Sequence, residues 1–264
     1  MSSPPPIVLT FAGSDPTGGA GLQADVLTLA SMGCHPVSVL TALTVQDTHG
    51  VAAFDAVDAR RVRMQAERVL ADMQISAFKL GMLGSAANVE AIASLLADYA
   101  EIPVVLDPVL ASGRGDTLAN DETLAALREL LVPQSTVVTP NSGEARRLAD
   151  TQSLQEAARR LLDRGAEYVL LTGTHEPGAE VVNTLYDAGG VVREDRWARL
   201  PGSFHGSGCT LASAIAAALA NRLAVPEAVR DAQEFTWQTL ASGFRPGAGQ
   251  CIPDRFFWAR ETQD

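Results

Sequence analysis

Ile7-Val-Leu-Thr-Phe11, followed by Gly13-Ser-Asp-Pro-Thr-Gly-Gly-Ala-Gly21 and a helix-forming run to Met32, is the stretch whose reading decides the fold. A short, continuous apolar run reads as a strand buried on both faces. The glycine-rich segment reads as a loop, and the run from Gly21 as a helix by period and propensity. Strand, loop and helix in that order open a parallel β–α unit. The pattern then recurs. Residues 36–45, 78–82, 104–106, 136–139 and 168–171 read as buried strands, and residues 59–73, 87–100, 121–131 and 154–164 as helices. Residues 181–186 and 191–197, separated by Asp187-Ala-Gly-Gly190, predict a β-hairpin instead. A last helix is expected over residues 226–242. No repeat, low-complexity run or linker interrupts the series. The expectation is an α/β fold with a mostly parallel central sheet, residues 1–264 as one domain, and residues 1–6 as a flexible tail.

Composition narrows the function classes. The chain has 264 residues, 47% of them hydrophobic and 19% charged, with a formal net charge of −11. That charge opposes non-specific binding to nucleic acid or an anionic membrane, so neither partner is expected. A local cation still allows an anionic small molecule. Lys79 is the only lysine and no P-loop motif is present, so phosphate chemistry must rest on arginine, metal or backbone amides. Three cysteines (Cys34, Cys209, Cys251) make no disulfide framework, and the four histidines have no zinc-site spacing. The N-terminal residues carry no signal-peptide pattern and no run approaches a membrane span. A cytoplasmic location is expected.

His205-Gly-Ser-Gly-Cys-Thr210 runs directly into the helix-forming Leu211-Ala-Ser-Ala-Ile-Ala-Ala-Ala-Leu219. Free amides at a helix N-terminus, backed by the helix dipole, attract an anion, most often a phosphate. A thiol there, Cys209, is expected to have a lowered pKa. The bland alternative is a flexible N-cap with a buried cysteine. Asp107 ends the strand Val104-Val-Leu-Asp-Pro108, on the edge where α/β sheets bind ligands. It reads as a magnesium ligand, direct or through water, or as a cap or turn residue. Arg114, in the following loop, reads as a phosphate partner or a solvated turn residue. In Thr139-Pro-Asn141-Ser-Gly-Glu144, Asn141 and Glu144 fit a capping box, yet bring an amide and a carboxylate to the edge that holds Asp107. Gln46 closes the second strand with an amide able to read adjacent donors and acceptors on a heterocycle. Gly19-x-Gly21-x-x-Ala24 matches the dinucleotide pattern, but the preceding Ser14-Asp-Pro-Thr-Gly18 is too long for the tight turn that pattern needs.

Taken in order, Gly13-Ser-Asp-Pro-Thr-Gly-Gly-Ala-Gly-Leu-Gln-Ala-Asp25, Thr41-Ala-Leu-Thr-Val-Gln46, Lys79-Leu-Gly-Met-Leu83, Val105-Leu-Asp-Pro-Val109, Thr139-Pro-Asn-x-x-Glu-Ala145 and His205-Gly-Ser-Gly-Cys-Thr210 carry a resemblance. The chain, from about residue 7 to about residue 245, resembles the hydroxymethylpyrimidine/phosphomethylpyrimidine kinases of thiamine biosynthesis, within the ribokinase-like superfamily. The resemblance implies a three-layer α/β/α sandwich and an enzyme using ATP and Mg2+ to phosphorylate a pyrimidine alcohol, then its monophosphate. It also implies a homodimer. Gln46 would bind the aminopyrimidine edge, Asp25 would lie near the hydroxymethyl group, and Gly13, Met82 and Val109 would complete the substrate pocket. Asp107 and Glu144 would orient magnesium, with Asn141, Thr172 and Gly173 on the nucleotide side. Gly206, Ser207 and Gly208 would form the anion hole, and Cys209 would stand where most sugar kinases of the superfamily place an aspartate base, in a modest base role or as a pocket wall. Thr172 and Gln233 depart from the family pattern, since many relatives carry lysine at the first and some at the second. The alternatives are a pyridoxal or pyridoxine kinase, and a non-catalytic pyrimidine-binding regulator on the same scaffold. Residues 18–21 and 113–115 are candidate hinges.

Overall fold

The structure, a computed structural model, describes residues 4–112 and 115–260. Its elements in chain order are β1 (Ile7–Ser14), α1 (Gly21–Ser31), β2 (His35–Gln46), β3 (Val51–Ala56), α2 (Ala59–Leu70), β4 (Ile75–Leu80), α3 (Ala86–Leu96), β5 (Val104–Leu106), α4 (Asp121–Ala126), β6 (Val137–Val138), α5 (Ser142–Ala149), α6 (Leu154–Asp163), β7 (Tyr168–Leu171), β8 (Glu180–Asp187), β9 (Gly190–Ala198), α7 (Ser207–Ala220) and α8 (Val225–Ala241). Among the described residues the strands form one sheet in the order β3-β2-β1-β4-β5-β6-β7-β8-β9. The run from β2 to β7 is parallel. β3 joins one edge antiparallel, and the β8–β9 hairpin extends the other.

Side chains alternate across a strand, so each central strand feeds two cores. Leu9, Phe11, Phe78, Leu80, Leu106 and Val138 point to one face, where Val62 of α2, Ile92 of α3, Leu148 of α5 and Leu161 of α6 cover them. Val8, Ala77, Val105, Val137 and Leu170 point to the other, against Leu29 of α1, Ile215 of α7 and Val229 of α8. The result is the expected three-layer α/β/α sandwich. α7 lies so deep that every residue from Thr210 to Ala220 is buried, and its alanines let neighbouring elements approach closely.

Three local expectations are corrected. β3 was not expected: Val51-Ala-Ala-Phe-Asp-Ala56 is half-exposed along its length, so it lacks the apolar run that marks the inner strands. The helix expected over 121–131 is α-helical only to Ala126 and continues as a π-type turn over Leu127–Leu131. Pro6 is already tied down, its carbonyl accepting from His35 N at 2.8 Å, which shortens the expected tail. Residues 1–3 of that tail lie outside the described residues, as do Gly113 and Arg114 of the expected hinge and phosphate contact.

Candidate active site

A cleft of about 490 Å3 runs along the carboxyl edge of the parallel strands, a size typical of small-ligand sites. It gathers residues from the ends of β1, β2, β4, β5, β6 and β7, together with the N-terminus of α7. Of the residues singled out from the sequence, Gly13, Gln46, Met82, Asp107, Val109, Asn141, Glu144, Thr172, Gly206, Ser207, Gly208 and Cys209 all line it.

The N-terminus of α7 presents uncapped backbone amides to the cleft. Gly206 is its N-cap, at φ +83°, and no side chain caps the first turn. The amides that follow, on Ser207, Gly208 and Cys209, begin a 14-residue helix whose dipole points the same way. Gly206 has no alternative: a Cβ there would stand 1.9 Å from the Gly19 carbonyl oxygen. The Gly13–Gly21 loop is therefore pressed against the helix start. Asp15 locks the two together, accepting from Thr17 N (2.8 Å) and Ala20 N (2.6 Å) and meeting His205 Nε2 at 2.9 Å. Burial alone would raise the Asp15 carboxyl, but the His205 and backbone hydrogen bonds outweigh it and hold the pKa low. From beneath, Arg255 gives hydrogen bonds to Gly19 O (2.6 Å) and Thr210 Oγ1 (3.1 Å).

Two carboxylates face this helix start. A Cβ on Gly208 would lie 3.7 Å from Asp107 Oδ2, so that carboxylate sits directly beside the helix start. Burial pushes Asp107 up to about 6, against the pull of Lys79. Burial, and then the Asp107 charge, push Glu144 up to about 8. Glu144 is held by the capping box: Asn141 Oδ1 accepts from Gly143 N (2.9 Å) and Glu144 N (3.0 Å), while Glu144 Oε2 accepts from Asn141 N (2.9 Å). The structural reading of Asn141 and Glu144 thus holds together with the placement at the site. Two repelling carboxylates beside a helix start are the setting a divalent cation relieves. No group of three or more His, Cys, Asp or Glu side chains able to hold a metal occurs among the described residues. The donor set suits a hard cation held by one or two carboxylates, waters and ligand phosphates.

Cys209 corrects an expectation. Its thiol lies at the helix start, but burial pushes it up to about 12, outweighing the favourable charge of Lys79. Desolvation, joined by the Asp107 and Asp25 charges, outweighs the Lys79 charge and the Gly21 backbone hydrogen bond. Asp25 is fully buried, and its partner Lys79 reaches the cleft wall. Its carboxylate is committed to Lys79 Nζ (2.8 Å), Ser213 Oγ (2.8 Å) and Thr10 Oγ1. Burial would lower Lys79, but Asp25 beside it keeps the ammonium firmly charged. Gly173 stays off the wall. Its amide donates to Asn183 Oδ1 (3.0 Å) and its Cα packs on the Val182 backbone.

The two ends of the cleft differ in chemistry. At the β2 end, Ala42, Met82 and Leu118 cluster with Val51, Phe54 and Val109 into an apolar slot on the cleft that Gln46 and Thr44 also line. At the β8–β9 end the walls are Trp197 and Trp237, stacked 6.4 Å apart with 28° between planes. Gln233 is spent there on structure: it accepts from Asn183 Nδ2 (2.8 Å) and Trp197 Nε1 (3.0 Å) and donates to Asp195 (2.8 Å). Sequence reading missed the Trp197–Trp237 wall, since single tryptophans on a hairpin and a helix carry no common spacing. It also missed Val51 and Leu118, which sit on the unrecognised β3 and in a loop.

A helix start with uncapped amides set against acidic groups, on the carboxyl edge of such a sandwich, is the equipment of a ribokinase-like phosphotransferase. Comparison with known proteins makes the assignment narrower. The phosphomethylpyrimidine kinase family model matches residues 15–254, and the chain belongs to that family. It is 42% identical to the hydroxymethylpyrimidine/phosphomethylpyrimidine kinase of Streptomyces coelicolor, over 93% of this chain and 92% of that one. Among solved structures, phosphomethylpyrimidine kinase from Clostridium difficile superimposes with a TM-score of 0.78 at 31% identity, covering 89% of this chain and 99% of the other. Pyridoxal kinase from Bacillus subtilis, solved as an ADP complex, gives 0.85 at 29% identity, covering 97% and 99%.

Proposed function

We propose that this enzyme transfers the γ-phosphoryl group of Mg-ATP to 4-amino-5-hydroxymethyl-2-methylpyrimidine, and then to the resulting monophosphate, making the diphosphate used in thiamine biosynthesis. One observation carries the reading: the apolar slot, Gln46 and the amides of Gly206–Cys209 line one continuous cleft. A flat heterocycle in the slot would turn its carbinol toward the anion hole. Met82 and Val109 would hold the ring faces. Gln46 would exchange hydrogen bonds with the ring nitrogen and amino group. The Trp197–Trp237 end would take the adenine by stacking.

Phosphoryl transfer passes through a loose transition state, so positioning and charge stabilisation govern its rate more than a strong base does. The Ser207, Gly208 and Cys209 amides supply fixed donors for the transferring group. Asp107 and Glu144 would hold a magnesium ion, which would supply charge neutralisation for the phosphate oxygens; Asn141 and Thr172 line the same cleft. Cys209 contributes a protonated thiol wall. In the second round the monophosphate would re-enter with its phosphate in the hole, as acceptor. We place the enzyme in the cytosol as a homodimer; the outward-facing Leu43 and Val45 of β2, 55% and 62% exposed, support self-association, which light scattering tests.

The test is product analysis by mass spectrometry after incubation with Mg-ATP and the pyrimidine alcohol, with pyridoxal in parallel. Appearance of the pyrimidine monophosphate followed by the diphosphate is expected. Phosphorylated pyridoxal with untouched pyrimidine would favour the reading that the pyridoxal kinase likeness raises, and no product from either would favour a binding protein.

A further inference from the structure

Gln46 can read an aminopyrimidine only if its amide faces the right way round, and the strand that carries it holds the device that sets this. Residues i and i+2 share a strand face. Thr44 and Gln46 accordingly both line the cleft, while Leu43 and Val45 point outward. Thr44 Oγ1 lies 2.7 Å from the Ser14 carbonyl oxygen. A carbonyl can only accept, so the single hydroxyl proton of Thr44 is committed to Ser14. Gln46 Nε2 lies 2.7 Å from the same Oγ1. With its proton spent, Thr44 can only accept from Gln46, so the amide NH2 must face it. The flipped amide would set two oxygens 2.7 Å apart with no proton between them, at the cost of an unpaired acceptor pair. Gln46 Oε1 has no hydrogen-bond partner among the described residues, and one N–H also remains unused.

We infer that Thr44 is a specificity-determining positioning residue: the Ser14–Thr44–Gln46 chain fixes the polarity of the Gln46 amide and so selects ring edges that pair an amino donor with a ring-nitrogen acceptor. The inference rests on the reading of Gln46 given above. A ring edge bearing only acceptors finds Oε1 unmatched, and sites built to hydrogen-bond a group reject analogues lacking it. β1 supplies the reference oxygen, so the polarity is set by the sheet rather than by the mobile end of a side chain.

The experiment compares T44V, T44S and Q46A on the 4-amino substrate and its 4-deamino analogue, with ATP saturating and folding checked by thermal melting. T44V is expected to raise KM for the amino substrate about tenfold, the size of one misdirected hydrogen bond, with kcat and KM for ATP little changed. On the deamino analogue the T44V effect should shrink to within about twofold, and T44S should restore most of the loss. T44A, which removes the hydroxyl without adding a methyl group, must show the same split if T44V proves unstable. Equal losses on both substrates, or none on either, would overturn the inference. If Q46A abolishes the preference for the amino substrate while T44V leaves it intact, the role of Thr44 alone is refuted. If Q46A treats both substrates as wild type does, the assignment of Gln46 falls, and this inference with it.

Discussion

Cys209 stands at the start of α7 beside Asp107, and burial pushes its thiol up to about 12. A general base contributes typically 10²–10⁴-fold; a protonated wall contributes far less. Cys209→Ala is therefore expected to lower kcat by less than about tenfold and to leave the pH–rate profile unmoved. A loss of about a thousandfold with the basic limb displaced would contradict this. Glu144 makes a different prediction. Its carboxyl titrates near 8 in the folded chain against an ordinary 4.5, first through burial and then through Asp107. The folded state thus binds this proton more tightly than the unfolded state. The ligand-free enzyme should gain stability as pH falls from about 8 toward 4.5, and lose it as pH rises. Thermal melts at pH 6 and pH 8 check this: E144Q should remove most of the difference seen in wild type, and an unchanged difference would place the charge repulsion elsewhere.

At the scale of elements, the start of α7 and the Gly13–Gly21 loop act as one unit. Gly206 meets Gly19 O with no space for a Cβ, and Asp15, His205 and Arg255 tie the two segments. Gly206→Ala must displace the loop or the helix start, and with it the amide donors. Since one misplaced donor of this kind costs about 10²–10³ in kcat, a loss of that size is expected with the melting temperature only modestly lowered. Steady-state kinetics with differential scanning calorimetry decide it. The sequence made much of this legible. Gly-Ser-Gly ahead of an alanine-rich run states both the N-cap and the buried helix, and the apolar runs state the parallel strands. What stayed hidden was tertiary in origin. The Asp25–Lys79 pair spans 54 positions, and nothing local in the sequence announces it. β3 is half-exposed and announces itself only through pairing with β2. The raised Cys209 pKa follows from the layers packed around it, whereas sequence shows only the helix dipole.

Across the whole molecule, the Asp25–Lys79 pair joins α1 to β4, with Thr10 of β1 and Ser213 of α7 completing its hydrogen bonds. Both charges are fully buried directly beneath the cleft. Removing one partner leaves the other unpaired, which costs about 3–5 kcal/mol, whereas replacing both with apolar groups is often neutral. K79M should therefore destabilise strongly, and K79M/D25L should recover most of the stability in urea titrations. A double variant as weak as the sum of the singles would mean that the pair does not act as a unit. The sheet order places the apolar slot at the β2 side and the tryptophan wall at the β8–β9 side, and the start of α7 lines the same cleft. The most direct test of the proposed substrate is kcat/KM for the aminopyrimidine alcohol and for pyridoxal, measured on wild type and on Q46A. Q46A is expected to lose at least tenfold on the pyrimidine and much less on pyridoxal; equal losses on the two substrates would contradict the pairing of Gln46 with the aminopyrimidine edge.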